Sequence, residues 1–156
     1  LEPEVMRRVS HDFGAIILEY PPVPIEGAME AVRAAAERGP VGLISDTGIS
    51  PGASLERILD REGFLTYFQT CTFSDVVGMA KPMAPMFEIT AEALGVAPEE
   101  LLHIGDLEPT DILGVQRVGG RAALFAGVNP RYLNDTRAED AFTAWSQFVE
   151  LLPHLP

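Results

Sequence analysis

The chain has 156 residues, with 11 Lys+Arg against 23 Asp+Glu and a formal net charge of −12. Its length suits one domain, and 47% hydrophobic with 22% charged residues is a globular composition rather than a disordered one. The acidic balance argues against a nucleic-acid-binding protein, which needs clustered Lys and Arg; no apolar run approaches a membrane span and no signal peptide is visible.

Residues 4–20 place Val5, Val9, Phe13, Ile16, Ile17 and Tyr20 at helical spacing among charged residues. This predicts an amphipathic helix, although Ala15–Leu18 also reads as a short strand. Pro21, Pro22 and Pro24 end it and mark a boundary between two parts of the molecule. Residues 25–38 put Ile25, Met29, Val32 and Ala36 on one helical face and stop at Gly39. Val41–Ile44 reads as a buried strand, Ser54–Arg61 as a helix and Tyr67–Phe73 as a strand. A helix is expected over Pro82–Leu94, with Pro in its first turn and Gly95 after its end. A strand follows at Leu101–Gly105, a helix over about 109–118 and a strand at Ala122–Phe125. The last stretch predicts a strand near Phe142–Trp145 and a helix near Gln147–Leu152. This alternation implies an α/β fold: a three-layer, Rossmann-like parallel sheet with helices on both faces. Ligands of such sheets sit outside the carboxyl ends of the strands.

Three features fall at those ends. The first strand runs into Ser45-Asp46-Thr47-Gly48, a hydroxyl and small turn that could meet a phosphate or merely cap the next helix. The third ends at Gly105-Asp106, with Asp111 five residues on and Glu108 between. Two acids there repel by roughly 4 kcal/mol at about 4 Å and an effective dielectric near 20. A cation relieves that repulsion, and oxygen-only ligands favour Mg²⁺; alternatively the acids only complement a helix dipole. Lys81, in Gly78-Met-Ala-Lys81-Pro82, is the only lysine among eleven cationic side chains. It follows the second strand, where a compact point charge suits a phosphoryl group or a pair of carboxylates. A solvated loop cation is the plainer reading. His103 and Cys71 read as packed within their strands. The lone cysteine cannot form an internal disulfide, which fits a reducing, cytoplasmic compartment.

In this order the motifs resemble the haloacid dehalogenase-like (HAD) hydrolase superfamily. Leu43-Ile-Ser45-Asp46-Thr47 is similar to its second motif, Phe73-Ser74-Asp75 through Lys81-Pro82 to its lysine motif, and His103-Ile-Gly105-Asp106 through Asp111-Ile-Leu-Gly114 to its acidic motif. Asp46 and Thr110 stand where Asn is frequent. The resemblance implies that Ser45 and Lys81 are catalytic, that Ser45, Asp46 and Lys81 bind phosphate, and that Asp106 and Asp111 form the metal site. It also implies a Mg²⁺-dependent phosphatase of a small phosphorylated metabolite, phosphoglycolate phosphatase-like, with neither nucleic acid nor membrane as partner. Residues 1–22 resemble the last helix of a helical cap and 23–156 a core lacking its first strand. The family's first motif, an apolar strand ending in Asp-x-Asp that carries the nucleophile, has no counterpart in the sequence. The chain opens on Leu1 rather than Met, and the simplest expectation is a truncated chain, inactive as written. Two alternatives stand beside this: a non-catalytic HAD-like binding or regulatory protein, favoured by the absent nucleophile, and a metal-independent haloacid dehalogenase, disfavoured by Gly105-Asp106.

Overall fold

The computed structural model describes residues 2–155. Helix α1 (Pro3–Glu19) opens with Pro in its first turn and ends at Tyr20, before the prolines. The short-strand alternative at 15–18 is therefore excluded. α1 rests on α3 (Gly52–Arg61) through Gly14, where a Cβ would meet the Pro51 ring at 3.1 Å. The small residue permits this close approach, and Val5, Val9, Phe13 and Ile16 remain exposed.

The remaining elements in chain order are α2 (Ala28–Ala36), β1 (Gly42–Ser45), α3, β2 (Thr70–Phe73), α4 (Ser74–Val77), α5 (Ala84–Leu94), β3 (Leu102–Gly105), α6 (Leu113–Arg117), β4 (Arg121–Phe125), β5 (Asp140–Phe142) and α7 (Trp145–Leu151). All strand pairings are parallel: Gly42 opposite Thr70 in β1–β2, Leu102 opposite Arg121 in β3–β4, and Ala123 opposite Asp140 in β4–β5. Strand β4 defines the layers by its two-residue period. Ala122 and Leu124 join Met86, Phe87, Ile112 and Val115 on the α5–α6 face. Ala123 and Phe125 join Ala31, Phe142, Phe148 and Leu152 on the α2–α7 face. Both faces are covered, as a parallel sheet requires. Fully burying one side chain such as Phe87 contributes about 1.5–3 kcal/mol.

Four expectations need correction. Pro82 lies outside α5, and Pro85 occupies its first turn. The strand expected from Tyr67 begins at Thr70, because Leu65–Tyr67 forms a 3₁₀ turn. The helix expected over 109–118 starts as a wide π turn, Glu108–Ile112, and becomes regular only in α6. Near the end, β5 stops at Phe142 and α7 begins at Trp145. Gln147 Oε1 accepts the N–H groups of Thr143 and Ala144 at 2.8 and 3.1 Å, so its side chain draws these two amides into a helix cap and away from the strand.

The strands form two sheets, β1–β2 and β3–β4–β5. Val41 O accepts from Gln69 N–H at 2.8 Å, and Leu101 O accepts from Arg121 N–H at 2.8 Å. Carbonyls alternate along a strand, so those of Gly42 and Ile44 turn away from β2, and those of Leu102 and Ile104 turn away from β4. Both β1 and β3 therefore carry an edge without a strand partner among the described residues, and every residue in both is only half-buried. Central strands of a two-face-covered sheet should be its most enclosed; here these two are less enclosed than β4. Among the described residues, no helix is long and apolar enough to cross a membrane.

Candidate active site

The carboxyl ends of β1 and β3 are joined by side chains rather than by a strand. Lys81, on the turn after α4, sends its ammonium to Asp111 Oδ1 at 2.6 Å and donates to the Ile44 carbonyl of β1 at 3.4 Å. The ion pair is enclosed, with side-chain exposures of 12% for Lys81 and 4% for Asp111. The wide turn brings Asp111 back over β3, where it lies against Gly105. A Cβ at residue 105 would overlap the Asp111 carboxyl carbon. Asp111 Oδ2 accepts from Leu107 N–H at 2.9 Å, and Oδ1 is shared between Lys81 and His103 Nε2, the latter at 3.4 Å. Both oxygens are thus engaged. Burial alone would raise the Asp111 pKa, but the His103 hydrogen bond, the Lys81 charge and the Leu107 amide outweigh it and hold the carboxyl well below the usual range.

His103 was expected only to pack. It does pack, edge-on to Phe87 with ring centroids 5.2 Å apart, yet it also contacts Asp111. A sequence signal for this exists: residues 103 and 105 share one face of a strand, so a side chain folding over Gly105 meets His103. Burial, with the Lys81 charge adding to it, pushes the imidazole down from its ordinary value, against the pull of Asp111.

The rest of the site is more open. Ser45 ends β1, half-buried, and its hydroxyl makes no hydrogen bond among the described residues. Asp46 is exposed, and its Oδ1 accepts the Lys81 backbone N–H at 3.0 Å, tying the β1 tip to the lysine turn. Next to it Thr47 is held by Ser74: its N–H donates to Oγ at 2.9 Å and the two hydroxyls lie 3.1 Å apart. Asp75 accepts Gly52 N–H at 3.1 Å, which fixes the far end of the same loop. Asp106 stands at the β3 tip. Asn129 Nδ2 donates to its Oδ2 at 3.2 Å, while Asn129 Oδ1 accepts from Arg131 N–H at 3.3 Å. Only a carbonyl oxygen can take that amide proton, so the Asn129 NH₂ must face Asp106. No sequence reasoning singled out Asn129, because the contact joins residues 23 apart through a loop. Glu108 turns elsewhere, accepting from Thr136 Oγ1 at 2.6 Å and Arg137 N–H at 3.0 Å.

For a divalent cation, the described residues offer one open carboxylate, Asp106, with one oxygen committed to Asn129. They contain no group of three or more His, Cys, Asp or Glu able to hold a metal by themselves. Magnesium takes only one or two carboxylates and keeps several waters, so Asp106 fits as one of its ligands. Asp111, saturated and buried, fits as a support beneath it.

Comparison with known proteins agrees with this architecture. Phosphoserine phosphatase of Thermus thermophilus is 32% identical over 120 residues, covering 77% of this chain and 47% of that protein. The chain therefore spans about half the length of this curated relative. A HAD phosphatase from Thermococcus onnurineus superposes with a TM-score of 0.77 at 24% identity, covering 90% of this chain and 64% of that one. The HAD-hydrolase YfnB of Bacillus subtilis, bound to magnesium, superposes with a TM-score of 0.72 at 18% identity, covering 97% and 73%. Residues 2–119 match the family model for haloacid dehalogenase-like hydrolases, and the chain belongs to that family.

Proposed function

We propose that the chain forms most of the catalytic core of a Mg²⁺-dependent phosphatase acting on a small phosphorylated metabolite. The observation that carries this reading is the Lys81 ammonium. It is paired with a saturated carboxylate and donates to the Ile44 carbonyl, at the edge where Ser45 ends β1 and Asp106 follows β3. Phosphoryl transfer asks chiefly for positioning and charge stabilisation. In this reading the Ser45 hydroxyl and the Asp46 backbone N–H donate to the phosphoryl oxygens. Lys81 neutralises their charge. Asp46 holds the lysine turn, and Asp106 supported by Asp111 holds the cation. Magnesium, when bound, supplies further neutralisation of phosphoryl charge.

The nucleophile belongs to a further strand seated between β1 and β3, parallel to both and bonded to the backbone edges that face away from β2 and β4, at Gly42, Leu102 and Ile104 and at the Ile44 N–H beside the carbonyl that Lys81 meets. A carboxylate at its tip attacks phosphorus while the P–O bond to the leaving oxygen breaks and the second Asp of the Asp-x-Asp gives that oxygen a proton; water then cleaves the aspartyl phosphate, freeing phosphate and restoring the carboxylate. Residues 1–22 are the last helix of a cap, and the exposed stripe Val5, Val9, Phe13 and Ile16 supports this assignment. Residues 23–156 are the core.

The test is turnover of a phosphomonoester panel, including phosphoserine and phosphoglycolate, by the complete polypeptide that carries an upstream Asp-x-Asp. Magnesium-dependent phosphate release that a chelator abolishes is the expected result. A folded, complete polypeptide that releases phosphate from no member of the panel would sink the reading.

A further inference from the structure

The histidine beside the lysine–aspartate pair, its side chain 12% exposed, has a use that packing does not explain. Asp111 is tethered at Oδ2 by the Leu107 amide. A single tether leaves the carboxylate free to swing about that bond. Lys81 limits the swing but cannot fix it by itself, because its four-carbon stem stays flexible even with the ammonium on the Ile44 carbonyl. His103 can, since β3 fixes its backbone, and the buried Phe87 ring lies edge-on at 5.2 Å. Its Nε2 lies 3.4 Å from Oδ1. Leu107 and His103 thus hold the two oxygens from two fixed points and set the carboxylate plane that Lys81 meets.

We propose that His103 is a positioning residue: with its proton on Nε2 it fixes Asp111 Oδ1, and through Asp111 it aims the Lys81 ammonium at the Ile44 carbonyl. Chemistry selects the tautomer. An ionised carboxylate only accepts, and a neutral imidazole has one N–H, so a bond from Nε2 requires the proton there.

Two substitutions separate aiming from packing. His103→Gln keeps an N–H donor but no ring, and His103→Phe keeps the ring but no donor. In the complete polypeptide, and resting on the phosphatase reading, His103→Gln is expected to retain kcat within about threefold. His103→Phe should lose kcat by about tenfold or more with KM unchanged, although it is the more stable of the two to heat. The reverse order, or losses that simply follow thermal stability, would overturn the proposal. A second readout does not depend on activity: the ¹⁵N spectrum of histidine-labelled polypeptide, with the His103 signals assigned by their absence from His103→Gln. A neutral, Nε2-protonated ring at pH 7 supports the role; protonation at Nδ1 instead overturns it, whatever the activity. If the wild-type protein turns over nothing while the ring is Nε2-protonated, the phosphatase reading fails and the positioning of Asp111 stands.

Discussion

The site has two regions built on opposite terms. The inner one, Lys81, Asp111 and His103, is enclosed, and both carboxylate oxygens of Asp111 are taken by protein donors. The outer one, Ser45, Asp46 and Asp106, is half-buried or exposed, with a free hydroxyl on Ser45 and one uncommitted oxygen on Asp106. An enclosed ion pair is costly to desolvate and tolerates no missing partner. An open hydroxyl or carboxylate contributes little to folding and is free to meet a ligand. The contrast separates residues that ready the site from residues that meet the substrate, and substitutions on the two sides should fail in different ways.

The largest effect on folding is expected from Lys81→Met. It leaves Asp111 charged and buried without its cation, and removing one partner of such a pair costs about 3–5 kcal/mol. Urea denaturation of the complete polypeptide measures it, and a loss under about 1 kcal/mol would show the pair to be solvated. Next comes Gly105→Ala, whose Cβ would overlap a carboxyl group pinned by three donors. Overpacking of this kind costs roughly 1–3 kcal/mol, and a midpoint equal to wild type would mean that Asp111 moves freely.

Acid should act on the inner region in two stages. Unfolded His103 takes a proton below about pH 6.5, its unperturbed value, whereas burial and Lys81 keep the folded ring neutral. The unfolded state then binds more protons, so stability falls as pH drops below 6.5. Asp111 acts lower. Its contribution is fully present above its unfolded value of 3.8 and is lost only as pH falls through its depressed folded value. Thermal midpoints between pH 6.5 and 5 should therefore decline more steeply for wild type than for His103→Gln; parallel declines would contradict the assignment.

The smallest folding effect is expected at the rim. Ser45→Ala should change stability by no more than about 0.5 kcal/mol. Its kcat should nevertheless fall by roughly 10²-fold, the scale of losing one donor to transition-state charge.

Much of this was legible in the sequence, for identifiable reasons. The apolar run Ala122–Phe125 marks a buried strand, and the prolines and Gly95 that bracket residues 82–94 mark the helix packed beside it. The strand-end rule by itself points to Ser45, Lys81, Asp106 and Asp111. Errors came where side chains reshape the backbone. Gln147 ends β5 early, and the wide turn that returns Asp111 to Gly105 displaces the start of α6. His103 and Asn129 were missed as site residues because each gains its role from a tertiary contact with a carboxylate. The split between β1 and β3 shows in the pairing: each strand by itself reads as an ordinary apolar run, and only the family resemblance implies a core lacking its first strand.

The most direct measurement is phosphate release by the complete polypeptide, with and without Mg²⁺, run beside a folded Ser45→Ala variant. The account predicts magnesium-dependent turnover of at least one phosphomonoester by wild type and a loss of roughly 10²-fold in the variant. Equal turnover by the two proteins, or none by wild type under any condition, would contradict it.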